Sequence, residues 1–268
     1  ALGSVLVQQV GYHVAYLSGA SIAYTRFGRP DIGLVGMSEV AETLSAITER
    51  SGLPVIVDGD TGFGNALNAQ RTMRTYERMG ANALQLEDQT YPKRCGHLKD
   101  KSLIGPAEMV GKIQAMADAR QSDDTLIIAR TDSIAVEGYE AALERAEAYM
   151  TAGADVLFIE APRSREELAS IAVQFADRIP LLANMVEGGA TPVTDANDLE
   201  SLGYSIAIFP GGIVRAQAKT AQDYYASLAQ HGSNKPFSTR MFDFDGLNDV
   251  IGTNDMLAKG AKYDGSAD

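Results

Sequence analysis

Short runs of β-branched and aliphatic residues recur along the chain as HVAYLSG, PVIVDGD, ALQLED, TLIIART, DVLFIEA, PLLANMV and SIAIFPG, each of a length that suits one buried strand. Between them lie stretches with apolar positions at helical spacing, such as NALNAQRTMRTYERMGA, PAEMVGKIQAMADAR, YEAALERAEAYMTAGA and SREELASIAVQFADR, often closed by a glycine. Strand and helix therefore alternate. Repeated βα units imply parallel strands covered on both faces, in a barrel or in an open doubly wound sheet. Polar residues choose between the two: Ser18, Asp58, Asp60, Glu87, Arg130, Asp132, Glu160 and Asn184 stand at the C-terminal ends of the runs. In a barrel such ends converge on one mouth, whereas an open sheet uses only those beside a switch point. The pattern predicts an α/β protein, a (β/α)8 TIM barrel. Seven runs are legible, and ALGSVLVQQVGY reads as the end of a helix. A first strand and the start of its helix, roughly 20 to 30 residues by the size of a βα unit, are therefore expected to be missing ahead of Ala1.

After the seventh run, VRAQAKTAQDYYASLAQHG reads as a helix, and a tail of about residues 235–268 again carries apolar positions at helical spacing. Such a tail is expected to pack on another subunit. No linker or low-complexity segment divides the chain, so residues 1–268 read as one domain. Hydrophobic residues make up 45% and charged residues 22%, an ordinary globular profile, and no apolar run approaches a membrane span. The first residues lack the basic region and apolar core of a signal peptide, which predicts a cytoplasmic protein. A formal charge of −12 argues against a nucleic-acid partner, since neutralising phosphates takes clustered Lys and Arg. An anionic substrate would need a local positive site.

Asp58 and Asp60 share one face of their strand by the period of two, and Glu87 closes the next strand. Carboxylates at neighbouring strand ends repel one another, and a hard divalent cation, Mg²⁺ or Mn²⁺, resolves that; helix capping or ion pairing would be the structural alternative. Gly62 and Gly64 in TGFGNALN match neither a dinucleotide fingerprint nor a P-loop, so they suit a tight turn before an Asn65 cap. Cys95, the single cysteine, cannot form an internal disulfide or a Cys-rich zinc site. It sits in TYPKRCGHLKDK, where Lys93, Arg94 and His97 would stabilise a thiolate or hold a carboxylate beside it. Pro92, Gly96 and the position after a strand end predict a mobile loop over the mouth. The alternatives are a small buried hydrophobe and a hydrolytic nucleophile, although no separate orienting His or Asn motif is legible. Arg130 and Asn184 are donors suited to a carboxylate; Arg130 could instead pair with Glu160 or Glu187. Tyr16 should share the face of Ser18, as core filler or as an active-site phenol. His13 and His231 read as surface or packing residues.

The set YLSGA, GRPDIGL, DGDTGFGN, LEDQTYPKRCGHL, IIARTD, FIEAP and NMVEGGATP resembles the isocitrate lyase and phosphoenolpyruvate mutase superfamily, from about residue 5 to about residue 262. The resemblance implies a (β/α)8 barrel whose last helix is exchanged between subunits, a homotetramer built from such dimers, and Mg²⁺ or Mn²⁺ as cofactor. It implies that Asp58 binds the metal directly, with Asp31, Asp60 and Glu87 acting through waters. Ser18, Gly19 and Ala20 would hold the 2-oxo-acid carboxylate by hydroxyl and backbone N–H groups, and Arg130 would engage the same end. Gly96, His97, Glu160 and Asn184 would position a second carboxylate of the substrate. Cys95 matches the general acid of the lyase branch, which mutase members mostly lack, and Tyr16 would assist the proton traffic.

The implied reaction is a retro-aldol-type cleavage of a 2-hydroxy di- or tricarboxylate, of 2-alkylmalate or 2-methylisocitrate type, into a 2-oxo acid such as pyruvate and a carboxylic acid. NMVEGGATP resembles dimethylmalate lyase, petal-death-type and carboxyphosphonoenolpyruvate mutase members more than 2-methylisocitrate lyases. Pro210 stands where oxaloacetate hydrolases prefer Ser and isocitrate lyases Thr, and Gln85 where many lyases have His. The alternatives are a carboxyphosphonoenolpyruvate phosphonomutase, an oxaloacetate hydrolase or decarboxylase, and an inactive metal-binding barrel.

Overall fold

The structure is a computed structural model and describes residues 1–96, 100–189, 191–192 and 195–265. Helix α1 (Leu2–Gln9) leads into β1 (Ala15–Leu17), followed by α2 (Gly19–Phe27) and α3 (Met37–Arg50). Then strand and helix alternate: β2 (Val55–Asp58), α4 (Ala66–Arg78), β3 (Ala83–Glu87), α5 (Pro106–Ala119) and β4 (Leu126–Thr131). The short α6 (Ser133–Val136) precedes α7 (Tyr139–Thr151), β5 (Val156–Ile159), α8 (Arg165–Phe175), β6 (Leu181–Asn184), α9 (Ala196–Leu202) and β7 (Ile206–Ile208). Each of the seven apolar runs has become a strand. The strands pair in chain order, all parallel, in a nearly closed barrel ringed by helices. Among the described residues β7 and β1 do not pair.

The period of two divides each strand between two cores. Val55, Val57, Leu84, Leu86, Ile127, Leu157 and Leu181 face outward, against Leu44, Met73, Ile113, Tyr149 and Phe175 of the helices. Their neighbours Ile56, Ala83, Ile128, Val156, Phe158, Leu182 and Ile208 face inward and fill the barrel. Each fully buried aliphatic side chain contributes about 1.5–3 kcal/mol. Along the same inward rows the next residues are Asp58, Gln85 then Glu87, Arg130, Glu160 and Asn184, so the apolar floor gives way to a polar mouth. Register brings Asp58 opposite Gln85 and Glu87 opposite Arg130.

Local sequence ends the strands and starts the helices at that mouth. The Ser18 hydroxyl caps α2 by accepting the Ser21 N–H at 3.3 Å. Asn65 caps α4, its Oδ1 accepting from Leu67 and Asn68 at 3.0 and 3.3 Å, while Asn68 Oδ1 accepts the Asn65 N–H in return. Gly59 is required by close approach: a Cβ there would lie 2.6 Å from the Gln85 carbonyl oxygen.

Beyond the barrel run α10 (Gly212–His231), a 3₁₀ turn (Lys235–Arg240), α11 (Phe244–Ile251) and α12 (Thr253–Ala261). In the single chain α10 buries none of its 20 residues. The tail turns back toward the start of the chain: Gln9 Nε2 donates to the Val250 carbonyl at 3.4 Å and Arg50 Nη2 to that of Ile251 at 2.5 Å. No helix among the described residues is long and apolar enough to cross a membrane. His13 and His231 are exposed.

Candidate active site

The mouth begins with a chain of three side chains. The Gln85 amide turns its Nε2 toward Asp58 and donates to Oδ1 at 3.2 Å. Gln85 Oε1 then faces Tyr16 and accepts its hydroxyl proton at 2.7 Å. Tyr16 thus shares the inward face as expected, with its proton committed to Gln85. Burial first, and the Asp58 charge second, push the phenol's pKa well up. The other Asp58 oxygen accepts the Gly19 N–H at 3.2 Å, and Oδ1 also accepts the Asp60 N–H at 3.2 Å. The Gly19 amide, expected to hold a substrate carboxylate, is therefore engaged by Asp58. A Cβ on Gly19 would lie 3.4 Å from Asp58 and 3.5 Å from Asp60, which shows how closely both carboxylates approach the start of α2. Ser18 is buried beside them, and Ala20 is half-buried.

Lys93 departs from the expectation that it would serve the cysteine. Its ammonium reaches 2.7 Å from Asp31 and 2.9 Å from Asp60, with all three side chains at most 7% exposed. Burial opposes that charge, but Asp60, Asp58, Glu87 and Asp31 outweigh it and hold the ammonium's pKa well above its usual value. Asp60 is pushed up to about 7 by burial, with Asp58 and Asp31 adding to the rise and Lys93 opposing it. Burial also raises Glu87, reinforced by Asp132 and Asp60 against the pull of Arg130.

Arg130 is clasped from three sides. It contacts Asp132 at 2.9 Å, Glu160 at 3.3 Å and Glu87 at 3.4 Å, and lies 5.0 Å over the Phe158 ring. Glu160, one of the two pairing options read from the sequence, is thus a partner; Glu187 pairs with Arg215 instead. Asn184 Nδ2 donates to Glu160 at 3.0 Å. Asp132 holds Arg130 through both carboxylate oxygens. Burial works against its charge, yet Arg130 and Lys101 bring its pKa down to about 2.

The segment carrying Cys95 closes this arrangement. Gln89 pairs with both backbone groups of Arg94, accepting its N–H at 3.0 Å and donating to its carbonyl at 2.8 Å. The Cys95 N–H donates to the Asp31 carbonyl at 3.2 Å. Cys95 is half-buried and forms no disulfide. Gly96 rests directly on the Arg130–Glu160 pair: a Cβ there would collide with the guanidinium and lie 3.0 Å from the Glu160 side chain. His97 lies outside the described residues. The structure therefore brings together Tyr16, Ser18, Gly19, Asp31, Asp58, Asp60, Glu87, Cys95, Gly96, Arg130, Glu160 and Asn184.

Two participants were missed by sequence reasoning. Asp132 was noted only as a polar strand end, although its spacing of two from Arg130 was a signal that both face inward. Lys101 closes the quoted cysteine segment, but no spacing rule reveals its partners.

As the described side chains stand, no three His, Cys, Asp or Glu residues are grouped to hold an ion. The donor chemistry nevertheless fits a hard cation. The donors are carboxylate oxygens, Lys93 already places a positive charge between two of them, and Glu87 Oε1 is buried without a hydrogen-bond partner.

A parallel barrel whose mouth gathers buried carboxylates, the buried cations Lys93, Lys101 and Arg130, and a cysteine on an adjoining segment has its polar groups where α/β-barrel enzymes carry their active sites. The sequence pattern of the phosphoenolpyruvate phosphomutase family matches residues 1–229, and the chain belongs to that family. It is similar to the 2,3-dimethylmalate lyase of Eubacterium barkeri, 41% identical over 94% of this chain and 86% of the relative. The 2-methylisocitrate lyase of Aeropyrum pernix is 43% identical over 99% of this chain and 84% of the relative. A crystal structure of 2,3-dimethylmalate lyase, a PEP mutase/isocitrate lyase superfamily member, superposes with a TM-score of 0.93 at 33% identity, covering 100% of this chain and 90% of that one. A phosphonopyruvate hydrolase complexed with oxalate and Mg²⁺ superposes with a TM-score of 0.86 at 28% identity, covering 98% and 90% of the two chains. The protein is an enzyme, a carbon–carbon lyase of the isocitrate lyase superfamily.

Proposed function

We propose that the enzyme cleaves the C2–C3 bond of a 2-hydroxy dicarboxylate of the 2-alkylmalate type, with the larger 2-methylisocitrate as the next candidate, releasing a 2-oxo acid such as pyruvate and a carboxylic acid. The observation that carries this reading is the seating of Gly96, the neighbour of Cys95 in the chain, on the Arg130–Glu160 pair. Asp58, with Asp31, Asp60 and Glu87, would hold Mg²⁺ or Mn²⁺, as the donor set and the Mg²⁺ complex of phosphonopyruvate hydrolase support. When bound, the ion supplies Lewis-acid stabilisation to the oxygens of the forming 2-oxo acid.

The chain's own groups do the rest. Arg130, locked by Asp132, offers a preorganised cation to one carboxylate, and Ser18 with the start of α2 borders the same end. Asn184, Glu160 and Gly96 line the region for the second carboxylate, with His97 next in the chain. Tyr16, its own proton given to Gln85, turns an oxygen lone pair toward the substrate hydroxyl and orients it. A carboxylate of the mouth takes the hydroxyl proton as the C2–C3 electrons move into the departing fragment as a carboxylate-stabilised enediolate, and the Cys95 thiol protonates that carbon. Exchange with solvent on product release returns a proton to the thiolate and removes one from the carboxylate. Burial of the mouth keeps water from the carbanion.

The test is a panel of 2-methylmalate, 2-ethylmalate, 2,3-dimethylmalate and 2-methylisocitrate, assayed for 2-oxo-acid release with Mg²⁺. At least one member should be cleaved, and Cys95→Ala should slow that cleavage by about 10²-fold or more, the usual weight of a general acid. Release from none of them would refute the substrate class, and a loss under about threefold would refute the role of the thiol.

We propose further that the chain is one domain that assembles by exchanging its C-terminal helical part, with the tail of about residues 235–268 packing on a partner subunit, as a dimer and then a homotetramer. The support is a helix of 20 residues that buries none of them in the single chain, next to the exposed Phe244, Met256 and Leu257 of the tail. A monomer in sedimentation at micromolar concentration would refute the assembly.

A further inference from the structure

We infer that Lys101 is a positioning residue that sets the place of Cys95, an assignment that rests on the lyase reading for its catalytic consequence but not for its test. The Lys101 side chain is 2% exposed and its partner Asp132 is fully buried. Its ammonium donates to Asp132 Oδ1 at 2.6 Å and to the Gly96 carbonyl at 2.5 Å. Asp132 is itself held through its carboxylate and its backbone. Its oxygens accept Arg130 Nε at 2.9 Å and Nη2 at 3.1 Å, and its backbone N–H donates to Asp88 Oδ1 at 3.0 Å.

One carboxylate therefore fixes both the guanidinium that receives the substrate and, through Lys101, the carbonyl adjoining the proton donor. Without the ammonium, Gly96 would keep its steric seat on Arg130 and Glu160 but lose the charge-assisted bond to its carbonyl. On the other side, the Cys95 N–H donates to the Asp31 carbonyl at 3.2 Å, and Gln89 holds both backbone groups of Arg94. Loss of the bond to the Gly96 carbonyl would thus free the segment on the C-terminal side of Cys95. A misplacement of about 1 Å can lower a rate about 10²-fold, so a residue that never touches substrate can still govern turnover.

Cys95 is the single cysteine, so alkylation by iodoacetamide reports on it alone. Lys101→Met should speed alkylation about tenfold in the substrate-free enzyme, the scale of one lost charge-assisted bond. Lys101→Arg, which keeps the charge and the donors, should return the rate to within about threefold of wild type. The sign is diagnostic. A purely electrostatic role would slow alkylation on loss of the ammonium, because a nearby cation favours the reactive thiolate. Alkylation that is unchanged or slower in Lys101→Met would overturn the assignment. If that variant does not fold, Lys101→Gln takes its place, with an acceleration of about threefold or more expected and no change contradicting.

In turnover of whichever malate is cleaved, Lys101→Met should lower kcat about tenfold with KM within about threefold, and Lys101→Arg should restore it. Faster alkylation in Lys101→Met from a wild-type enzyme that cleaves no panel member would sink the proposed substrate class and leave the Lys101 assignment standing.

Discussion

Two buried polar clusters lie on either side of the barrel wall, and they are finished to different degrees. Behind the wall, Asp88 is saturated. Its Oδ2 accepts from Thr131 at 2.7 Å, Tyr149 at 2.8 Å and Arg145 at 3.2 Å, and its Oδ1 from the Asp132 backbone at 3.0 Å. Arg145 goes on to bind Glu137 twice, at 2.7 and 2.8 Å, and the Ile104 carbonyl at 3.1 Å. In the mouth, Glu87 Oε1 and Asn184 Oδ1 are buried without hydrogen-bond partners, and Asp60 is pushed up to about 7. Burying a polar group without a partner costs free energy, so a folded chain tolerates it where something else is to bind. The saturated cluster is completed by the chain itself; the unsaturated one leaves buried acceptors open and is the proposed site.

The sharpest break would come from Arg145→Met. It strands a buried Asp88 charge and should destabilise the fold by about 3–5 kcal/mol in urea unfolding, while the surviving folded enzyme keeps its turnover per molecule. A large loss of turnover without loss of stability would erase the distinction between the clusters.

Next come two carboxylates with opposite pH signatures. The Asp60 pKa is raised in the folded state, so in EDTA its contribution falls as pH rises from its ordinary value near 4 through about 7. Asp60→Asn should then raise Tm at pH 8 and leave it unchanged near pH 4, by an amount corresponding to about 1–3 kcal/mol. Asp132 is depressed to about 2, so its contribution is whole above about pH 4 and fades as pH falls toward 2. Asp132→Asn should therefore destabilise clearly at pH 6 and progressively less in acid. Matching pH trends for the two variants would contradict the opposite shifts assigned to Asp60 and Asp132. The smallest effect belongs to Asn65→Ala, a cap outside both clusters, which should lower stability by about 1 kcal/mol and leave turnover unchanged.

Much of this was legible because strands signal by alternation. The run PVIVDGD announces both a buried strand and, at its inward positions, the switch from Ile56 to Asp58; TLIIART does the same for Ile128 and Arg130. What the sequence could not show depends on the path of loops and on contacts between distant segments. Lys93 is two residues from Cys95 in the chain yet reaches across to Asp31 and Asp60. Arg145 meets Asp88 from 57 residues away. Gln85 stood out as a departure from the lyase pattern, but its bridge from Tyr16 to Asp58 became visible only once register set β3 beside β2. The exposed α10 looks in sequence like any other barrel helix, because amphipathic spacing does not say whose core it will cover.

The decisive measurement is the rate of 2-oxo-acid release from the best 2-alkylmalate as a function of Mg²⁺, for wild type and for Asp58→Asn. Wild type should be inactive in EDTA and saturate with Mg²⁺, and Asp58→Asn should fold normally yet lose about 10²-fold or more of the rate. Equal rates with and without the ion, or in Asp58→Asn, would contradict the view that the acidic mouth is a cation-dependent carbon–carbon lyase site.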